Sequence, residues 1–323
     1  AGLRPWQALK LYSRTHLGSG GPNRKQPQEE NFHLLRLDTG VYDPVLGRSY
    51  YQMGLEARSN HKCQGMPQLR ALSGYRDSLW QLEDTTIAVA PEEDDLFDGI
   101  DTGLDRLKAF TDESAIHVEI DALGRDVNDA LAAFDARTPW KTLPPLRRGL
   151  ERLRALRAKT HFLPEAERYE LEHRLAPKEK DFEAAIAIAH GIAIDPIADR
   201  GEVTRGSELG VEVQITNRSP EPVEVRAIEV ATPSGWTTAA NPGEGESFPP
   251  LPRTLGMNEV VKASYHVGVS MKAAYDRPYW TKPDPAVDRF ELLEPSNFGR
   301  PWRSPAVLSK LLLRSAGIDI TLK

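Results

Sequence analysis

One cysteine, no long apolar run and no surplus of positive charge set the first limits on this chain. Cys63 is the only thiol, which excludes an intrachain disulfide and a cysteine-built zinc site. A lone cysteine of this kind reads as a small buried hydrophobe. No stretch approaches the roughly 20 consecutive apolar residues of a membrane-spanning helix. The 41 basic residues against 47 acidic ones give a net charge of −6, so the overall balance does not draw the chain to nucleic acid. The eight histidines, His16, His33, His61, His117, His161, His173, His190 and His266, form no HxxH, HExxH or His-x-Asp-Asp spacing. A complete hydrolytic zinc site, which needs three converging ligands and an open position for water, is therefore not expected within this chain.

What is present is enough for folded cores. Of 323 residues, 40% are hydrophobic, and the length suggests two or three domains. The chain opens at Ala1-Gly-Leu-Arg-Pro-Trp6 without a charged-then-apolar leader and closes on the alternating Ile318-Asp-Ile-Thr-Leu322. Both ends read as cuts, and the compartment is left open, export included.

Three regions differ in period. Residues 1–90 mix strand-length apolar runs, Ala8–Tyr12 and Phe32–Leu37, with a helix spanning Arg48–Gln64 that ends near Gly65 and Pro67. Gly18–Asn23 has the chemistry of a surface loop, or of a pocket edge whose amides approach an anion. Residues 91–194 are helical. Thr102-Gly-Leu-Asp105 resembles a capping box. Ile120, Leu123, Val127, Leu131 and Phe134 mark one buried face, Leu146, Leu150, Leu153 and Leu156 a second, and Phe182, Ile186 and Ala189 a third that stops near Gly191. From 195 to 323 the period is two. Leu209, Val211, Val213 and Ile215 alternate with polar residues, Val223 and Val225 continue, and the phase then shifts to Ile228 and Val230 as a β-bulge would shift it. Ala263, Tyr265, Val267 and Val269 form a later strand. Short strands with Pro and Gly punctuation suggest an immunoglobulin-like sandwich.

The chemistry-bearing residues each have a bland and a sharp reading. Glu92-Glu-Asp-Asp95 with Asp98 and Asp101 reads as an acidic loop before a helix, or as oxygen ligands for a hard cation. Arg147, Arg148, Arg152, Arg154 and Arg157 read as a solvated helix face, with nucleic-acid binding the alternative. His161 and His173 read as solvated. Trp236, Tyr279, Trp280 and Trp302 read as packing residues or as stacking surfaces for sugar. On the helix after Arg48, Gly54, Arg58, His61 and Gly65 share one face, with Gln64 on its edge. Arg48, Arg58, His61 and Gln64 are thus candidates to line a pocket for an anionic or hydroxyl-rich ligand, or they tie the helix to its own domain.

Several segments carry a family resemblance. Gly40-Val-Tyr-Asp-Pro-Val-Leu-Gly-Arg-Ser-Tyr50, Arg58-Ser-Asn-His-Lys-Cys-Gln-Gly-Met66 and Leu96-Phe-Asp-Gly-Ile-Asp-Thr102 resemble long bacterial members of the PIG-L/LmbE zinc-dependent N-deacetylases. Trp6–Tyr12 resembles the strand that follows that family's second metal motif. The resemblance implies a multidomain α+β chain. Residues 1–90 would be the C-terminal part of a Rossmann-like α/β deacetylase domain, 91–194 a helical region, and 195–323 an immunoglobulin-like β-sandwich. It also implies a hydrolase that removes the N-acetyl group of an N-acetylglucosamine-type substrate. The zinc of the full-length parent would be held by HPDDE-type and HxxH-type motifs. Neither motif is in this sequence, so no catalytic or metal residue carries over, and this chain alone is expected to be inactive and to hold no zinc. A non-catalytic glycan- or envelope-binding module with a helical spacer is the alternative. Cut from its domain, the first region would leave parallel strands unpaired and Leu9, Leu11, Leu35 and Leu37 exposed.

Overall fold

The computed structural model describes residues 3, 5–15, 33–65, 72–241 and 248–322. The Gly18–Asn23 loop and Met66 lie outside the described residues. The chain is mixed helix and sheet, 31% helical and 28% strand. Every described strand pair is antiparallel, which places it in the α+β class. No described helix is long and apolar enough to cross a membrane. The chain divides into two compact units, Ala1–Asp121 with Leu163–Leu171, and Ala122–Phe162 with Glu172–Lys323.

The first unit holds strands β1 (Lys10–Thr15), β2 (Leu34–Asp38), β3 (Tyr42–Asp43) and β4 (Arg48–Ser49), helix α1 (Tyr50–Ser59) and strand β5 (Asp77–Thr85). Its main sheet has the order β1-β5-β2. β5 lies between the other two and runs against both, so the parallel pairing expected here is replaced by antiparallel ladders. Leu35 is consequently buried at 2% exposure, against expectation, while Leu11 is 58% exposed. The expected helix Arg48–Gln64 is shorter. Ser49 and Gln52 close a reciprocal capping box that starts α1 at Tyr50. Asn60 ends it, and Lys62–Gln64 form a separate 3-10 turn closed by Gly65 in the left-handed region. No capping box forms at Thr102: Leu104–Phe110 is a 3-10 segment preceded by Gly103 without a side-chain cap. In its place the Gly103 amide donates to Asp101 Oδ1.

Helix α2 (Ser114–Ala133), α3 (Leu143–Thr160) and α4 (Glu165–Ala189) follow, and α2 and α4 supply residues to both units. Pro144 and Pro145 sit at the start of α3, where missing amide protons cost nothing. In the second unit Leu150, Leu153, Leu156, Leu175 and Ile186 are fully buried. Gly149 allows α3 to approach α4 closely: a Cβ there would lie 2.5 Å from Phe182 Cε1. Gly191, at φ +60°, ends the α4 run.

The β region adds β6 (Ala193–Ala198), β7 (Glu208–Thr216), β8 (Val223–Ala231), β9 (Thr237–Ala240), β10 (Arg253–Leu255), β11 (Val260–Gly268), β12 (Trp280–Thr281), β13 (Glu291–Leu292), β14 (Leu308–Ser315) and β15 (Ile318–Leu322). Two four-stranded sheets result, ordered β10-β8-β14-β15 and β6-β7-β11-β9. Their alternating apolar residues point inward, and the Tyr265 hydroxyl on β11 donates to the Ile228 carbonyl on β8 at 2.6 Å, joining the two sheets. The expected bulge is present. Leu312 pairs with Ala227 and Leu313 with Val225, so Arg226 has no opposite residue and the apolar phase of β8 shifts there.

Candidate functional site

Arg48, Arg58, His61 and Gln64 are all exposed. Arg48 opens β4 of the β3–β4 hairpin and pairs with Glu56 of α1. Arg58 lies in the last turn of α1. The His61 amide donates to the Arg58 carbonyl at 3.0 Å, and the Gln64 amide to the His61 carbonyl at 3.2 Å. These successive tight turns hold the three residues as surface neighbours. The helical face that would have aligned Gly54, Arg58, His61 and Gly65 is broken at Asn60, because the last two residues lie outside α1. α1 contains no buried residue. Cys63, expected to be buried, is exposed. The group offers hydrogen-bond donors to a ligand in water, and nothing there excludes solvent as catalysis by a desolvated site requires.

The acidic loop is occupied with its own backbone. Asp98 Oδ2 accepts from the amides of Asp94 (2.7 Å) and Asp95 (3.1 Å), and Asp95 Oδ1 accepts from the Phe97 amide at 2.8 Å. Glu93 instead turns inward to Lys10. Their side chains are 5% and 2% exposed, and Lys10 also donates to the Asp98 carbonyl. The Tyr12 hydroxyl donates to the second Glu93 oxygen at 2.7 Å. Burial alone would raise the Glu93 pKa, but the bonds from Lys10 and Tyr12 outweigh it and hold the carboxyl below its ordinary value. Burial would likewise lower Lys10, and the bond to Glu93 reverses it, so both charges persist.

A buried polar node forms in the second unit, from residues whose types alone do not announce it. His190, at the end of α4, is fully buried, as is Ser315 of β14. Arg147 Nε donates to Ser315 Oγ at 2.8 Å, so the serine hydroxyl is left to donate to His190 Nε2 at 2.6 Å. His190 Nδ1–H then donates to Ser219 Oγ at 3.1 Å, and Ser219 donates on to the Glu221 carbonyl at 3.0 Å. This chain of bonds requires one neutral tautomer. Burial, aided by the Arg147 guanidinium, pushes His190 down from 6.5 to about 4. A serine hydroxyl bonded to an imidazole has the contacts of a nucleophile and its base. Here neither group reaches solvent, so no substrate can meet them.

The arginines of α3, expected to be a solvated face, are paired. Arg148 and Arg152 both bond Asp126 of α2, at 3.1 and 2.9 Å. Arg154 bonds Glu179 (2.6 Å) and Glu183 (2.8 Å) of α4 and the Asp319 carbonyl of β15 (2.7 Å). Arg157 bonds Glu172 at 2.8 Å and also Glu179. The row therefore ties α3 to α2, to α4 and to the sheet, and leaves no basic face for a polyanion.

The apolar stripe of α2 is only half covered. Ile120 and Leu123 are fully buried, but Leu131 is 70% and Phe134 55% exposed. These two, with Leu146, Phe182, Ala185 and Ile188, line an apolar groove of about 400 Å³. His161 and His173 are exposed as expected. Trp236 and Tyr279 are half-buried, and Trp302 is 81% exposed.

Among the described residues no group of three or more His, Cys, Asp or Glu is placed to hold a metal ion. The carboxylates of the acidic loop, bonded to amides or to Lys10, and His190, bonded on both nitrogens, do not fit a zinc centre. Compared with known proteins, the sequence matches no family model and no curated protein.

Proposed function

We propose that this chain is the C-terminal portion of a PIG-L/LmbE-type N-deacetylase, the end of its deacetylase domain with the regions that follow, whose zinc-binding motifs are carried by residues outside this sequence. The carrying observation is the paired resemblance of Gly40–Tyr50 and Arg58–Met66 to that family. The first segment forms the hairpin that leads into the capped start of α1. The second presents Arg58, His61 and Gln64 outward at its end. Exposed polar residues suit a face that meets a ligand or another part of a larger enzyme. In this reading residues 1–90 belong to a Rossmann-like α/β domain, 91–194 to a helical region, and 195–323 to an immunoglobulin-like sandwich. The two antiparallel sheets joined through Tyr265 support the last assignment. The parent would hydrolyse the N-acetyl group of an N-acetylglucosamine-type substrate, with no catalytic step assigned to residues of this chain.

The test is acetate release from N-acetylglucosamine derivatives, measured with this chain and with the longer protein encoded in the same reading frame. The longer protein is expected to be active and to hold zinc. In that protein Arg58→Ala and His61→Ala are expected to raise KM. A longer protein without zinc-dependent acetate release, or deacetylation by this chain alone, would overturn the proposal.

A further inference from the structure

Between β11 and β14 the chain makes a long excursion, residues 269–307. Its regular structure is confined to the two-residue pair β12–β13 and a 3-10 turn at Pro295–Asn297. Connections of this length with so little structure are uncommon in compact domains, and most have a function. The excursion is ordered by its own polar contacts. Arg303 bridges Asp276 at 2.8 Å and Glu294 at 3.0 Å, and the Leu293 amide donates to the Tyr279 carbonyl at 2.7 Å.

Its aromatic rings face outward. Trp302 is 81% exposed, Tyr275 75% and Phe290 54%. The Arg205 guanidinium covers one face of the Tyr275 ring, 3.9 Å from its centre. Since the residue is still three-quarters exposed, the opposite face is open. Trp280 meets Phe290 edge-on, with centroids 5.1 Å apart and planes at 88°, which fixes both rings. The segment carries six Lys or Arg and five Asp or Glu, a net of +1. That near-balance gives no electrostatic hold on a nucleic acid or an anionic lipid surface. What remains is Tyr275, held by Arg205, and the exposed indole of Trp302, next in the chain to the paired Asp276 and Arg303.

We propose that residues 269–307 form a contact surface for a neutral polysaccharide. The C–H face of a pyranose ring stacks on the open faces of Tyr275 and Trp302, and its hydroxyls exchange hydrogen bonds with the Arg303–Asp276 pair. This goes beyond the deacetylase reading and does not depend on it, because it needs no metal and no acetyl group.

The test is retention of the full chain on insoluble chitin, cellulose and xylan, followed by titration with the corresponding hexasaccharides monitored by tryptophan fluorescence. Retention on at least one of the three is expected. The double variant Tyr275→Ala/Trp302→Ala should weaken it at least about tenfold with unchanged circular dichroism, since truncated stacking residues leave the backbone intact. Phe162→Ala, 90% exposed but outside the excursion, should bind as the unaltered chain does. No retention on any of the three, or retention that survives the double variant, overturns the proposal. So does self-association that the double variant abolishes, in the absence of glycan binding, which would make the surface a protein interface.

Discussion

Helix α1 and helix α3 carry the same kind of side chain to opposite ends. α1 carries one arginine, Arg58, and α3 carries five, and neither helix reads as apolar throughout. Arg58 in the last turn of α1, a helix with no buried residue, and His61 just beyond its end are both exposed. On α3, arginines alternate with Leu150, Leu153 and Leu156, which are fully buried, so each guanidinium is carried to the edge of a core where carboxylates of α2 and α4 already wait. A charged residue becomes a structural tie where burial lowers the local dielectric and fixes the partner's position. On an exposed surface an ion pair of the same residue contributes little to stability.

The contrast is broken most forcefully at the α3–α4 seam. Arg154→Ala/Arg157→Ala should lower unfolding free energy by roughly 4–5 kcal/mol, because Glu179 and Glu183 keep their burial and lose their partners. Denaturant titration gives the number, and a loss under about 1 kcal/mol would return these arginines to the class of surface pairs. Acid should do comparable damage through His190. Its native pKa is depressed from 6.5 to about 4, so the folded state binds its proton more weakly than the unfolded chain. The contribution is complete above the ordinary value and is lost as pH falls from 6.5 toward 4, by roughly 3 kcal/mol in total. Unfolding curves at several pH values should show that slope, and His190→Gln should flatten it. Gly149→Ala should cost about 1–3 kcal/mol, since the new methyl meets Phe182 and one helix must shift. At the other pole, Arg58→Ala and His61→Ala should change stability by no more than about 0.5 kcal/mol. A larger loss would make α1 a tie rather than a recognition surface.

These elements also mark what the sequence made legible. The β8 bulge was visible because a period of two cannot shift phase without an extra residue, and Arg226 is that residue. Gly191 was visible because the helix stop needs a left-handed backbone. The Ser49–Gln52 box is written in the sequence, but a helix expected from Arg48 onward passes over it. The α3 ties were not readable: Asp126, Glu172, Glu179, Glu183 and Asp319 lie on other elements, and nothing in a single sequence brings them beside Arg148–Arg157. The same holds for His190, whose serine partners come from the β7–β8 turn and from β14. The α2 stripe predicted one buried face. Periodicity gives a face but not the neighbour that covers it, and Leu131 and Phe134 remained open. Of the candidate site, Arg58, His61 and Gln64 lie exposed in successive turns. The single helical face expected for them does not form, because Asn60 ends the helix between Arg58 and His61.

Native-state hydrogen exchange tests the comparison most directly. Amides of α3, of α4 beyond Glu172 and of β14 are expected to exchange in one cooperative opening with a shared free energy, since Arg147 and Arg154 join these elements. Amides of α1 are expected to exchange far sooner. If α3 and α4 instead open well before β14, or if α1 is as protected as they are, the division between structural arginines and recognition arginines is wrong.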